Sequence, residues 1–202
     1  MSPWRAAERA PFGGQRTDRN PDEMKLAIVA YPSLDGLDRQ WIESFRTKHD
    51  PQASRIGVHF TLVFPVEALP SEVEPELAVV ARSTQPISFA IRRTEVVRDA
   101  LGNCSHIFLV PDEGGDQITT LHDRLYGGAL RPHLRSDIPF VAHMTVGAAT
   151  DSPSAEKLAD ELNIRSRILR GTVGNMELVN VGRAVVQSIT TYALGSAVGT
   201  AG

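Results

Sequence analysis

The sequence predicts an α+β domain in which antiparallel strands and helices share one hydrophobic core. Apolar runs typical of strands alternate with about four segments of helical periodicity. Several strand-like runs follow one another in pairs separated only by a turn, which favours antiparallel hairpins over a doubly wound parallel sheet. Apolar residues make up 42% and charged residues 22% of the 202 residues, as in an ordinary folded domain large enough to bury a core.

The first half of the predicted domain contains two strands and two helices. A strand over 25–31 (KLAIVAY) precedes a helix over 35–49, whose apolar residues at helical spacing are Leu37, Trp41, Ile42 and Phe45. A second strand is predicted over 58–66 (VHFTLVFPV), a run rich in β-branched and aromatic residues. A second helix is predicted over 72–82.

The second half repeats this alternation and ends in two further strands. Its helices are predicted over 117–126 and 152–162, and Pro153 stands near the first position of the latter, where a missing N–H costs nothing. Its strands are predicted over 87–97, 105–110, 140–147, 167–181 and 184–194.

The two ends of the chain lack this periodicity. Residues 1–23 mix Pro, Gly, Arg and Asp without an apolar period, so we expect a disordered tail there. Residues 196–202 are expected to form a flexible C-terminus. The expected folded unit is therefore a single domain over 24–195.

Composition excludes several classes of function. No apolar run approaches the length of a membrane span, and the first residues lack the apolar region of a secretory signal, so we expect a cytoplasmic protein without a membrane partner. Cys104 is the only cysteine, so we expect neither an internal disulfide nor a Cys-based zinc site. A net charge of −3 argues against binding long nucleic acid by bulk charge, but leaves room for a small anion held by local arginines.

A short internal repeat is the strongest functional signal. His59-Phe60-Thr61-Leu62 and His143-Met144-Thr145-Val146 both follow the pattern His-apolar-Thr-apolar, each in a predicted strand. Since side chains two apart share one face of a strand, each motif should present an imidazole and a hydroxyl on one surface with apolar residues behind. A histidine in a half-buried strand is more often structural, but the matched pair favours a function.

The paired motifs resemble the two-histidine (2H) phosphoesterase superfamily, which includes RNA 2′,3′-cyclic phosphodiesterases and proteins named 2′-5′ RNA ligases. RIGVHFTLVFP is similar to the family's first motif strand and IPFVAHMTVG to its second, although Ala142 stands where the family often has proline. The resemblance implies a bilobal fold of two pseudo-symmetric halves, each with an antiparallel sheet and helices, flanking a central cleft. It also implies phosphoester chemistry without a metal or other cofactor.

Paired histidines suit the opening of a cyclic phosphodiester. One imidazole can take a proton from the attacking water while the other protonates the leaving ribose oxygen on the opposite side of phosphorus. Thr61 and Thr145 would hold the non-bridging oxygens as charge builds on them. The resemblance implies that His143 is the base toward water and His59 the acid toward the 2′-oxygen, whereas the symmetry of the motifs leaves the two roles interchangeable.

Candidate substrate-binding residues lie just upstream of the second motif. The segment ALRPHLRSD contains Arg131, His133 and Arg135, of which Arg135 is the foremost candidate for a phosphate contact, and a solvated basic loop is the alternative.

The remaining histidines are interpreted as structural. His49 lies at a helix end, His106 packs beside Cys104 in a strand, and His122 lies on a polar helix face.

The sequence therefore predicts a metal-independent phosphodiesterase, a hydrolase acting on a 2′,3′-cyclic phosphate or a 2′-5′ linkage. Its expected partner is an RNA end or a small cyclic nucleotide or phosphoester, with no stable protein partner. The sequence lacks the phosphate-binding P-loop, dinucleotide-binding, zinc-protease and serine-hydrolase signatures. Three alternatives stay open: a non-catalytic nucleotide- or RNA-binding module on the same fold, 2′-5′ RNA ligation, and a domain whose repeat is accidental.

Overall fold

The computed structural model describes residues 24–99, 104–137, 139–163 and 168–195. The expected tails over 1–23 and 196–202 lie outside these residues. The described helices are α1 (Gly36–His49), α2 (Pro70–Arg82), α3 (Gly115–Leu125) and α4 (Ser152–Asn163). None of the described helices combines the length and the apolar composition that crossing a membrane requires.

The described strands form two sheets. They are β1 (Met24–Ala30), β2 (Ser33–Leu34), β3 (Phe60–Ala68), β4 (Ile87–Ile91), β5 (Thr94–Arg98), β6 (Ser105–Leu109), β7 (Met144–Ala149), β8 (Leu169–Val173), β9 (Asn175–Asn180) and β10 (Gln187–Ala193). The larger sheet has the order β10-β9-β1-β3-β7-β6-β5 and the smaller one β2-β8-β4. All recorded pairings are antiparallel, so the predicted α+β class is confirmed.

The two motif strands meet at the centre of the larger sheet. β3 and β7 are joined by the pair Phe60–Met144, and these are the first residues of their strands. From this pair the antiparallel strands run in opposite directions, so β3 continues along β1 while β7 continues along β6. Each motif strand therefore belongs to one half of the molecule, and the halves join where the motifs lie.

Two predicted strands are each divided between the sheets. The run over 87–97 becomes β4 in the smaller sheet and β5 at the edge of the larger one. The division falls at Arg92 and Arg93, which are exposed, and Arg92 forms ion pairs with Asp112 and Glu113. The run over 167–181 likewise divides into β8 and β9, with Gly174 between them. A pattern of strand-forming residues does not reveal such a change of sheet.

The core lies behind the motif strands. Phe60 and Met144 are fully buried, and the Phe60 ring meets Phe89 of β4 edge-to-face with ring centroids 5.2 Å apart. The smaller sheet therefore packs on the buried side of β3.

Helix α1 begins after Asp35, whose side chain accepts a hydrogen bond from the Leu37 N–H. Helix α3 follows Gly114, whose φ of 82° lies in the left-handed region that favours glycine.

Candidate active site

The motif residues share one face of the larger sheet. Phe60 and Met144 are buried on its core side, so the residues on either side of them in each strand face the other way. The antiparallel pairing of Phe60 with Met144 places Thr61 beside His143, and His59 beside Thr145. The four residues of the repeat thus form one polar cluster at the junction of the two halves.

Each histidine lies just before its strand, and its imidazole is oriented by the backbone. The sequence pattern extends the second motif strand back to residue 140, but β7 begins at Met144. Nδ1 of His59 lies 2.8 Å from the Gly57 carbonyl, and Nδ1 of His143 lies 2.6 Å from the Val141 carbonyl. Because a carbonyl only accepts, Nδ1 carries the hydrogen in both rings. Nε2 is then the nitrogen that each ring can offer to a ligand.

Burial keeps both imidazoles neutral in the free protein. It lowers the pKa of His59 to about 4, assisted by the charges of Arg46 and His143 and opposed by the hydrogen bond to Gly57. Burial likewise lowers the pKa of His143 to about 4, assisted by His106 and opposed by the bond to Val141. A bound phosphate anion would favour the protonated form of a nearby imidazole and so raise its pKa.

An aromatic ring lies against each imidazole. The Phe108 ring stacks on His143 with centroids 3.8 Å apart, and the Tyr31 ring lies 6.1 Å from that of His59. Burial, followed by the charge of Glu177, raises the pKa of Tyr31 to about 12. The Tyr31 hydroxyl therefore stays protonated at neutral pH and can donate a hydrogen bond.

Helix α1 fixes the segment that orients His59. Arg46, with only 1% of its side chain exposed, donates to the Asp50 carboxylate at 3.0 and 2.8 Å, and to the Ile56 carbonyl at 2.8 Å. Glu43 accepts a hydrogen bond from Arg46 at 2.9 Å and from the Val58 N–H at 2.7 Å. Both neighbours of Gly57, whose carbonyl holds His59, are therefore anchored to α1.

Sequence reasoning overlooked this support for His59. Glu43 and Asp50 lie three residues before and four residues after Arg46, a spacing that indicates ion pairing on a helix. Their contacts with 56–58, however, depend on tertiary packing.

The predicted substrate-binding residues lie in the segment that precedes β7. Arg135 is half-buried and donates two hydrogen bonds to the Asp137 carboxylate, at 2.8 and 2.7 Å. Arg131 and His133 are exposed on a short 3-10 helix over Arg131–His133. Contact between these residues and a substrate stays a prediction.

The interpretation of His122 was wrong. It is buried rather than placed on a polar helix face, its Nδ1 donates to the Leu62 carbonyl at 2.7 Å, and its ring stacks on Phe140 with centroids 3.7 Å apart. The sequence contained the signal for this position. His122 shares the helical spacing of Ile118, Leu121 and Leu125, the other buried residues of α3.

Comparison with known proteins places the chain in a family. Residues 34–184, well over half of the chain, match the model of the 2′-5′ RNA ligase superfamily. The chain belongs to this superfamily. The family and the bilobal fold that the motifs implied are both confirmed.

Bacterial relatives and solved structures extend the comparison. A protein of Geobacillus thermodenitrificans, provisionally named a phosphoesterase, is 30% identical over 136 residues, covering 66% of this chain and 73% of its own length. Escherichia coli LigT, crystallised with 3′-AMP, superposes with a TM-score of 0.55 at 18% identity, covering 86% of this chain and 99% of LigT. TT0787 of Thermus thermophilus gives 0.56 at 16% identity, covering 85% and 98%. At these identities the structures show a shared fold.

The arrangement brings two proton-transfer groups together on one face of the larger sheet. Nδ1 of each imidazole is held by a backbone carbonyl, and a threonine of the other motif lies beside each ring across the strand pair. Such a cluster can exchange protons with a ligand on two sides and hold its oxygens between them.

Proposed function

We propose that the protein hydrolyses a 2′,3′-cyclic phosphate, or a 2′-5′ linkage, in RNA or a nucleotide, using His59 and His143 as general acid and base. One observation carries the proposal. The two imidazoles lie on one face at the junction of the halves, and both are oriented by the same hydrogen bond from Nδ1 to the carbonyl two residues earlier.

The proposed step needs one proton on the pair. The neutral imidazole accepts a proton from water as the water oxygen bonds to phosphorus. The bond from phosphorus to the leaving ribose oxygen breaks, and that oxygen takes the proton of the other imidazole. After the step the base carries a proton and the acid has lost one. Proton exchange with solvent then returns the two imidazoles to their starting protonation states. Thr61 and Thr145 donate hydrogen bonds to the non-bridging oxygens.

The negative charge of the substrate favours protonation of one of the two imidazoles. Both imidazoles are neutral in the free protein at neutral pH, as their pKa values of about 4 require. A phosphodiester carries one negative charge, which stabilises an imidazolium beside it and raises that group's pKa. Binding of the anion is therefore coupled to the uptake of the catalytic proton from solvent.

A small phosphoester or a short RNA end is the substrate class that we favour. The net charge of −3 provides little general attraction for a long polyanion. Escherichia coli LigT, which shares this fold, was crystallised with 3′-AMP, a nucleotide of the size we propose. Arg135 is the proposed phosphate contact outside the motifs.

A substrate panel tests the proposal. The four nucleoside 2′,3′-cyclic monophosphates, a cyclic-phosphate-ended oligoribonucleotide and a 2′-5′ dinucleotide would be incubated with the protein in the presence of EDTA. The double variant His59→Ala/His143→Ala, purified in parallel and checked by circular dichroism, controls for contaminating nucleases. We expect turnover by the wild type alone, and the product identifies which P–O bond breaks.

Other outcomes would replace the proposal. Tight binding of these compounds without turnover would indicate a binding module. A joined 2′-5′ product from RNA ends would indicate ligation. Turnover that the double variant retains would show that the motif histidines do not catalyse it.

A further inference from the structure

We propose that Asp99, Cys104 and His106 form a binding site for a divalent transition-metal ion of the zinc type. These residues lie at the end of the β5–β6 hairpin. Within the described part of the chain, this is the group of three His, Cys, Asp or Glu side chains whose ligand atoms lie close enough together to share one cation. The site lies on the same face of the larger sheet as the motifs, on the far side of Phe108 from His143, and the proposal does not depend on the proposed function.

The hairpin register brings the three side chains together. Val97 pairs with His106 and Arg98 with Ser105, and the Asp99 N–H then donates to the Cys104 carbonyl at 2.9 Å. Asp99 and Cys104 are thus opposite each other, and directly opposed residues share one face of the ladder. His106 lies two residues after Cys104 and so points to the same face.

The distances between the ligand atoms suit a metal ion. Nε2 of His106 lies 3.6 Å from Sγ of Cys104 and 3.9 Å from Oδ2 of Asp99, and Sγ lies 4.0 Å from the same Oδ2. The point equidistant from these three atoms lies about 2.2 Å from each. Zinc takes thiolate sulfur at about 2.3 Å and imidazole nitrogen or carboxylate oxygen at about 2.0–2.2 Å. One ion therefore fits among the three atoms with little movement.

Sγ of Cys104 lies within hydrogen-bonding distance of both Nε2 of His106 and Oδ2 of Asp99, but neither these bonds nor nucleophilic catalysis accounts for all three distances. The distance of 3.9 Å between Nε2 and Oδ2 exceeds that of a hydrogen bond. In a catalytic triad the carboxylate and the nucleophile approach opposite nitrogens of the imidazole. Here Asp99 and Cys104 both approach Nε2, as two ligands of one ion would.

Burial and ligand chemistry indicate the class of cation. The side chains of His106 and Asp99 are only 4% and 8% exposed, so an ion bound between them would be largely shielded from water. Thiolate and imidazole ligands select Zn²⁺ and similar ions over Mg²⁺ or Ca²⁺. On binding, the ion replaces the thiol proton, which passes to solvent. The Phe108 ring separates the site from His143, since it stacks with both imidazoles.

Cobalt absorption provides a direct test. Because Cys104 is the only cysteine, a thiolate-to-cobalt charge-transfer band can arise only from this residue. The full chain, kept reduced with a phosphine, would be titrated with Co²⁺ while absorption is recorded. We expect this band to saturate at one equivalent and to disappear when Zn²⁺ is added.

Variants distinguish a built site from a reactive thiol. We expect Cys104→Ser to abolish the band, and Asp99→Asn or His106→Gln to weaken cobalt binding about tenfold or more. The control His133→Gln, at an exposed histidine, should bind as the wild type does. A folded wild-type protein that shows no band at excess Co²⁺ would overturn the proposal. So would Asp99→Asn and His106→Gln proteins that bind with unchanged affinity.

Discussion

At the scale of single residues, the low pKa values of the two imidazoles determine the pH dependence. With both pKa values at about 4 in the free protein, the singly protonated pair becomes scarcer as the pH rises. We expect kcat/KM to fall about tenfold per pH unit between about pH 6 and pH 8, because this ratio reports the free protein. Steady-state kinetics on a cyclic mononucleotide would measure it. A maximum of kcat/KM near neutral pH would contradict these protonation states.

Glu43 is the residue that we expect to position His59 without touching the substrate. In Glu43→Ala the Val58 N–H loses its acceptor, which costs about 1–3 kcal/mol and loosens the segment around Gly57. We expect kcat to fall about tenfold with KM nearly unchanged, since substrate contacts are kept.

Two further variants separate positioning by Glu43 from general destabilisation. Glu43→Gln retains an oxygen that can accept from Val58 and should recover most of the lost kcat. Glu156→Ala, at an exposed position of α4, should leave kcat unchanged. Equal losses of kcat in Glu43→Ala and Glu43→Gln would argue against the positioning role.

At the scale of secondary-structure elements, the pair Phe60–Met144 sets the relative position of the two motifs. Met144→Ala should destabilise the fold by about 2–5 kcal/mol through the cavity it leaves. It should also reduce kcat about tenfold or more, because the two halves join at this pair. Val146→Ala also truncates a fully buried residue of β7, but away from the junction, and should lower stability while keeping kcat. Similar losses of kcat in both variants would refute the special role of the pair.

The elements also show what the sequence can and cannot reveal. The face shared by His59 and Thr61 follows from the two-residue period of a strand, so it was predictable. The buried side of α3 was equally visible in the spacing of Ile118, Leu121 and Leu125, although His122 was misassigned. The change of sheet at Arg92 and the anchoring of 56–58 by α1 depend on contacts between distant segments, which local patterns do not encode.

At the scale of the whole molecule, the imidazoles of buried His59 and half-buried His143 couple stability to pH. Their pKa values are lowered from 6.5 to about 4 on folding, so the unfolded chain binds protons more readily in this range. Their contribution to stability is complete above about pH 6.5 and is lost as the pH falls toward 4. Between pH 7 and 5 we expect His59 to account for a loss of about 2 kcal/mol and the more exposed His143 for less.

Urea unfolding at the two pH values would measure this coupling. The double variant His59→Gln/His143→Gln separates the imidazoles from other titrating groups, and its free energy of unfolding should decrease less between pH 7 and 5. An identical decrease in the variant and the wild type would show that the imidazoles are not responsible.

The central claim is that His59 and His143 act as one catalytic unit, and a double-mutant cycle tests it most directly. kcat/KM would be measured for the wild type, His59→Ala, His143→Ala and the double variant on the same cyclic phosphate. We predict that each single change lowers kcat/KM by about 10³-fold or more, and that the double change costs little beyond either one, because both protons must move in one step. Small losses that multiply in the double variant would contradict paired acid–base catalysis.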